Sequence, residues 1–171
     1  AADYVAMESA RSFAAVGASY RSELALTGGG STEVLSGTYV TPSLLIALGV
    51  EPVLGRLMVP EEAAPGAESV VLLGHEFWQR RFGGSSDVLG STMTLDGYAY
   101  TIIGVMPPGF RVPGRPYDDV WPVMQVRQPE YRAPFYLAVI GRLAPGATEE
   151  QARAELASLQ ESVKAAYPGS P

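Results

Sequence analysis

His75 is the only histidine in the chain, so any Ser-His-Asp relay has to use it. No G-x-S-x-G elbow supplies a matching serine. His75-Glu76 opens like the zinc motif H-E-x-x-H, but Gln79 stands where the second histidine belongs. A hydrolase built on His75 with an acidic partner would need His75 in a cleft beside a serine or an aspartate. The plainer reading makes His75 a helix-start or surface residue. Acidic residues occur as Glu61-Glu62, Asp118-Asp119 and Glu149-Glu150. Adjacent acids point in different directions, so this spacing argues against a catalytic dyad. Glu149-Glu150 suits a helix N-terminus, and Glu61-Glu62 after Pro60 suits another. Asp118-Asp119 is read as a solvated face beside Trp121, with a metal site as the minor alternative.

Phosphate chemistry is also poorly supported. Lys164, the single lysine, follows no glycine loop, so a Walker A motif is absent. Gly28-Gly29-Gly30 lies between two strand-like runs and reads as a hairpin turn. Val70–Leu73 before Gly74 has one glycine, too few for a dinucleotide fingerprint. No cysteine is present, which removes disulfides, Cys-ligated zinc, thiol nucleophiles and iron–sulfur clusters.

Binding has more to offer. Phe110, Tyr117, Trp121, Tyr131, Phe135 and Tyr136 fall in or beside two loops that carry Arg111, Arg115, Arg127 and Arg132. Tyr, Trp and Arg are enriched in binding hot spots. Phe110, Arg111, Tyr117 and Trp121 are therefore the candidate partner or ligand contacts. The competing reading folds the loop onto its own domain. No catalytic, cofactor or metal residue is assigned.

The elements that must position these residues follow from pattern. The 171 residues suit one domain or two small lobes, with a core that needs no staples. The net charge of −6 and the lack of a basic block make nucleic acid an unsuitable partner. The longest apolar run, Leu44–Val50, is far shorter than the about 20 residues that span a bilayer. Asp3–Phe13 reads as a short helix. Ala14–Leu26 and Thr32–Val40 read as a hairpin. Thr41-Pro42 starts a helix that Gly49 ends. Residues 51–68 read as an irregular loop. Val70–Leu73 is a buried strand, and a helix from about Gly74 to Phe82 follows it. Asp96-Gly97 between Thr92–Leu95 and Tyr98–Val105 is a strong hairpin signal, because the turn needs positive φ at both positions. Residues 107–118 form a Pro/Gly/Arg loop. Val120–Met124 reads as a short edge strand, because Pro122 opposes a central position. Tyr136–Leu143 is a strand. Thr148 and Gln151 form a capping box for a last helix with Ala152, Leu156, Leu159, Val163 and Ala166 on one face.

An ordered set of segments adds to this reading. It starts with Ser36-Gly37-Thr38-Tyr39-Val40-Thr41-Pro42, Leu48-Gly49-Val50-Glu51-Pro52 and Leu54-Gly55-Arg56. Val70-Val71-Leu72-Leu73-Gly74-His75 and Phe77-Trp78-Gln79-Arg80-Arg81-Phe82-Gly83-Gly84 come next. Leu89-Gly90, Leu95-Asp96-Gly97 and Tyr100-Thr101-Ile102-Ile103-Gly104-Val105-Met106-Pro107-Pro108-Gly109-Phe110 follow, and Val120-Trp121-Pro122, Gly141-Arg142-Leu143, Pro145-Gly146 and Gln151-Ala152-Arg153-Ala154-Glu155-Leu156 complete the order. Together they resemble the MacB-like periplasmic core domain of FtsX-type ABC transporter permeases, and within it the duplicated orphan branch.

The resemblance implies an α+β, two-lobed, non-catalytic domain outside the bacterial inner membrane. A porter-like β-α-β lobe would come from about 1–40 plus 135–171. A smaller inserted mixed α/β lobe with antiparallel hairpins would come from about 41–134. Implied partners are the protein's own transmembrane helices and a cytoplasmic ABC ATPase, with a second permease copy or a periplasmic adaptor as further candidates. The implied role is substrate export or mechanotransmission without a cofactor. Family members return to the membrane through a further strand after the last helix, so an exposed sheet edge is expected here. The alternative function is a stand-alone exported binding module for a peptide, lipid or glycan.

Overall fold

The fold was analysed in a computed structural model that describes residues 2–28, 31–126 and 136–167. Strand β1 (Phe13–Thr27) and strand β2 (Glu33–Val40) pair antiparallel from Ser19↔Val40 to Leu26↔Glu33, the hairpin the glycine run predicts. Helix α1 (Ala2–Met7) precedes them and helix α2 (Pro42–Leu48) follows. Gly49, at φ 65°, ends α2 in the left-handed conformation expected of a C-terminal glycine. Next come β3 (Leu54–Gly55), β4 (Val70–Leu73), α3 (His75–Phe82), β5 (Thr92–Leu95) and β6 (Tyr98–Val105). The chain closes with β7 (Val120–Pro122), β8 (Ala138–Leu143) and α4 (Glu149–Ala166). The class is mixed α+β.

Strand pairing closes on itself: β1–β2–β7–β4–β6–β5 and back to β1. This works because β1, at 15 residues, is long enough to serve three partners. Its first half pairs β8, its second half pairs β2, and Leu26–Thr27 reach β5. Asp96, at φ 50°, and Gly97, at φ 83°, make the tight β5–β6 turn.

Alternation along the strands sorts the core into two layers. In β4, Val71 and Leu73 face a cluster with Leu24, Leu35, Phe77 and Leu95, while Val70 and Leu72 face a second cluster with Leu44, Leu45, Met58 and Trp121. All four β4 residues are buried, which explains an unbroken apolar run. A third cluster gathers Tyr4, Val16, Ala18 and Met124 under α1. Helix α2 sits against Gly17, where a Cβ would collide with the Leu44 backbone.

Three local expectations are corrected. The first helix stops at Met7, not Phe13. Ser9 Oγ donates to the Ala6 carbonyl, and the Arg11 and Ser12 N–H groups donate to the Glu155 carboxylate of α4 at 2.7 and 2.8 Å. Those donors no longer serve a helix, and Phe13 enters the sheet. The segment 51–68 is not wholly irregular, since it holds β3 and a short 3-10 turn at Pro60–Ala63. Strand β7 is not an edge strand: it lies between β2 and β4 with all three residues buried. Its bonds to β4 run from Gly74 N–H to the Asp119 carbonyl and from Val123 N–H to the Val70 carbonyl, stepping over Pro122. Toward β2, strand pairing is reduced to Gly37↔Val120 and the bridge Val40↔Val123. The proline's missing donor therefore falls within a sparsely paired seam of the ring.

Candidate functional site

The sequence points to the loop from β6 to β7 and its flanks. Strand β6 ends beside β4, so the loop starts over the N-terminus of α3. Glu76 Oε1 accepts the Gly109 N–H at 3.1 Å and ties the loop to that helix. Burial opposes ionisation of Glu76, yet hydrogen bonds from its own N–H, from Gly109 and from Tyr117 hold its carboxyl below the usual range. Helix α3 starts at Gly74, which has no capping side chain. Tyr117 supplies the missing partner from 40 residues away: its hydroxyl accepts the Phe77 N–H at 3.1 Å. Burial and the Glu76 charge push the Tyr117 hydroxyl up to about 12, against the Phe77 bond, so it stays neutral. A Cβ at Gly74 would collide with Tyr117 Oη and the Asp118 carbonyl, so this approach requires glycine.

The four candidate contacts thus have different fates. Trp121 is fully buried, and Phe110 packs edge-on against it at 5.0 Å between ring centroids. Tyr117 caps α3. Arg111 alone of the four is exposed. Phe110 and Trp121 are brought together as packing. Arg127, Tyr131, Arg132 and Phe135 lie outside the described residues. Tyr136 stacks edge-on against Tyr20 at 5.4 Å and is half exposed.

Asp118 and Asp119 are not a solvated face. Asp118 is fully buried; its Oδ1 accepts Arg21 Nε at 2.9 Å and its Oδ2 accepts the Thr38 hydroxyl at 2.8 Å. Asp119 turns the other way. Its Oδ2 accepts the Ser36 N–H and hydroxyl, both at 3.0 Å, and its Oδ1 accepts Arg80 Nη2 at 3.1 Å. Both acids stitch β7 to β2 where the backbone ladder is sparse. Asp119 also fastens α3 through Arg80, whose guanidinium lies 5.3 Å from the Phe77 ring centroid. Arg21, Ser36, Thr38 and Arg80 carried no sequence signal for this role, because their partners lie far along the chain. The divergence of neighbouring acids was the one readable element.

Among the described residues, His75 makes no hydrogen bond to a serine or an aspartate and sits edge-on to Trp78 at 5.6 Å. Among the same residues, no three His, Asp or Glu side chains gather as a metal site. No described helix is long and apolar enough to cross a membrane.

The model of the MacB-like periplasmic core domain matches residues 1–159. The chain belongs to that family. Its relatives by fold include the periplasmic region of MacB from Actinobacillus actinomycetemcomitans, with a TM-score of 0.70 and 13% identity over 95% of this chain and 73% of that one. They also include the extracellular domain of the noncanonic ABC-type transporter YknZ from Gram-positive bacteria, with a TM-score of 0.68 and 13% identity over 94% of this chain and 81% of that one. At such identity the likeness shows the fold alone. No curated protein sequence matches the chain significantly. This MacB-like domain has the mixed α+β fold of its relatives.

Proposed function

We propose that this MacB-like domain is the non-catalytic extracytoplasmic part of an ABC-type permease. It moves as a packed body, driven through flanking transmembrane helices by a cytoplasmic ATPase, in substrate export or mechanotransmission. Family membership over residues 1–159 carries the reading. The closed ring supports it, since a strand buried on both faces and a side-chain-stitched seam suit a body that transmits force without deforming. In this reading the terminal segments, about 1–40 and 135–171, form the porter-like lobe. Residues of about 41–134 form the insert, and the domain works at the outer face of the inner membrane.

The partner contact of the 107–118 loop is assigned to Arg111. Its exposure, against the packed Phe110, Tyr117 and Trp121, favours that choice.

The deciding experiment reads the coding region on both sides of the chain and then the intact protein. One apolar run of about 20 residues upstream and three downstream support the reading. Arg111→Glu in the intact permease should then impair transport while the domain stays folded. A secretory leader with no spanning segment would overturn it in favour of a free exported binding module.

A further inference from the structure

An open pocket of about 440 Å³ lies where α1, the start of α2 and the Pro60–Ala63 turn meet. Its walls are apolar: Pro42, Ile46, Pro60, Pro65 and Val126. Three of these are prolines, whose fixed φ keeps the wall preformed. Ile46 is 57% exposed at the rim, a large aliphatic side chain left in water. One edge is polar and internally ordered. Tyr4 Oη donates to Glu8 Oε1 at 2.7 Å and lies 3.3 Å from Ser43 Oγ. Ser43 Oγ donates to Thr41 Oγ1 at 3.0 Å, and Thr41 Oγ1 accepts the buried Ala18 N–H at 3.0 Å. This relay anchors the Glu8 carboxylate at the pocket mouth. Burial, and then Glu8 itself, push the Tyr4 hydroxyl up, so it stays a neutral donor to that carboxylate. Among the described residues no lysine or arginine pairs with Glu8.

We propose that this pocket docks a protein segment that presents a lysine or arginine beside an aliphatic residue. The aliphatic side chain lies on the wall of prolines and Ile46, and the cation meets Glu8. Charge and shape select this occupant. An anchored carboxylate that has no ion pair among the described residues, set beside an apolar wall, fits a cation carried on hydrocarbon, and the chain's net charge of −6 favours a basic approach. Exposure selects the source. Glu8, Ile46, Pro60, Ala64 and Pro65 all remain exposed, so a free small molecule would stay largely in water. A side chain delivered on a polypeptide is covered from behind by its own backbone. The inference does not depend on the permease reading.

The test is an NMR titration of the whole chain with acetyl-Leu-Lys-Leu-amide. Shifts are expected at the amides of Val5, Ser43, Ile46 and Ala63. Norleucine in place of the lysine should weaken binding about fivefold, the upper range for a partly exposed ion pair. Glu8→Gln should do the same, and added salt should weaken only the lysine peptide. Ile46→Asp stands outside the hydroxyl relay and provides the second variant; it should abolish the shifts while the rest of the spectrum holds. Equal binding of both peptides, shifts elsewhere, or no shifts at millimolar peptide would overturn the proposal. Hexylammonium binding as tightly as the peptide would overturn the protein-segment assignment and make a free amine the occupant.

Discussion

The six-stranded ring and the layer of α1, β8 and α4 are both built from regular apolar patterns, and they end with different surfaces. In the ring, every residue of β4 and β7 is buried. In the terminal layer, α4 buries only Ala152 and Val163 among its described residues. Leu156 and Leu159 stay half-buried, and Val139 and Leu143 of β8 are exposed. A groove of about 480 Å³ runs between Met7, Val139, Leu156 and Leu159. Among the described residues β8 pairs only with β1. Periodicity names the apolar face of an element; it does not say whether another element arrives to cover it. Helix α4 relies instead on local devices. These are the Thr148–Gln151 capping box, the Glu149–Arg153 pair at 2.7 Å and the Glu161–Lys164 pair at 2.6 Å. Glu155 adds a tether to Arg11 and Ser12.

The sharpest test of this contrast truncates one leucine in each region. Leu72→Ala should cost about 3 kcal/mol, because a fully buried side chain leaves a cavity. Leu156→Ala should cost about 1 kcal/mol or less, since water already reaches that face. Urea denaturation measures both, and equal losses would break the comparison. Next in size is the seam. Asp118→Ala should cost about 2–3 kcal/mol, because it leaves the buried Thr38 hydroxyl without its acceptor. Adding Thr38→Val should recover part of that loss in a double-mutant cycle, which a merely additive pair would not do.

A smaller and more local effect is expected at the helix cap. Thr148→Ala should cost about 1 kcal/mol and speed hydrogen exchange at the Glu150–Ala152 amides without touching β4. The smallest effect concerns pH at the tether. Hydrogen bonds from the Ser12 side chain, then from the Arg11 and Ser12 N–H groups, hold the Glu155 carboxyl below its usual range. A depressed folded value means the tether contributes fully above the unfolded carboxylate range and is lost as pH falls through the folded value. The Ser12 amide resonance should therefore titrate in acid below the ordinary glutamate range, and Glu155→Gln should abolish that titration.

Much of the fold was legible, and the site was less so. The Asp96-Gly97 turn, the Gly49 helix end and the Thr148 cap all depend on residues within a few positions, so their chemistry can be read directly. The Asp118-Asp119 pair shows the limit. Its composition suggested a wet surface, yet the chain wraps β2 against β7 and seals Asp118 completely. The aromatic loop shows the same limit from the other side. Trp121 and Tyr117 are hot-spot residue types, but one fills the core and the other caps a helix. Residue type alone does not separate a side chain that waits for a partner from one that has found it inside.

By itself, the sequence determined the helices, the hairpins, the doubly buried strand and membership of a family, because each rests on local geometry or on an ordered set of segments. Tertiary structure decided where α1 ends, since Glu155 captures donors 144 and 143 residues away. It placed β7 inside the ring despite Pro122. It also paired Asp118 with Arg21 and Thr38 across 97 and 80 residues. The physical reason is common to all three: a hydrogen bond or a covered apolar face needs a partner in space, and these partners meet only once the chain has closed.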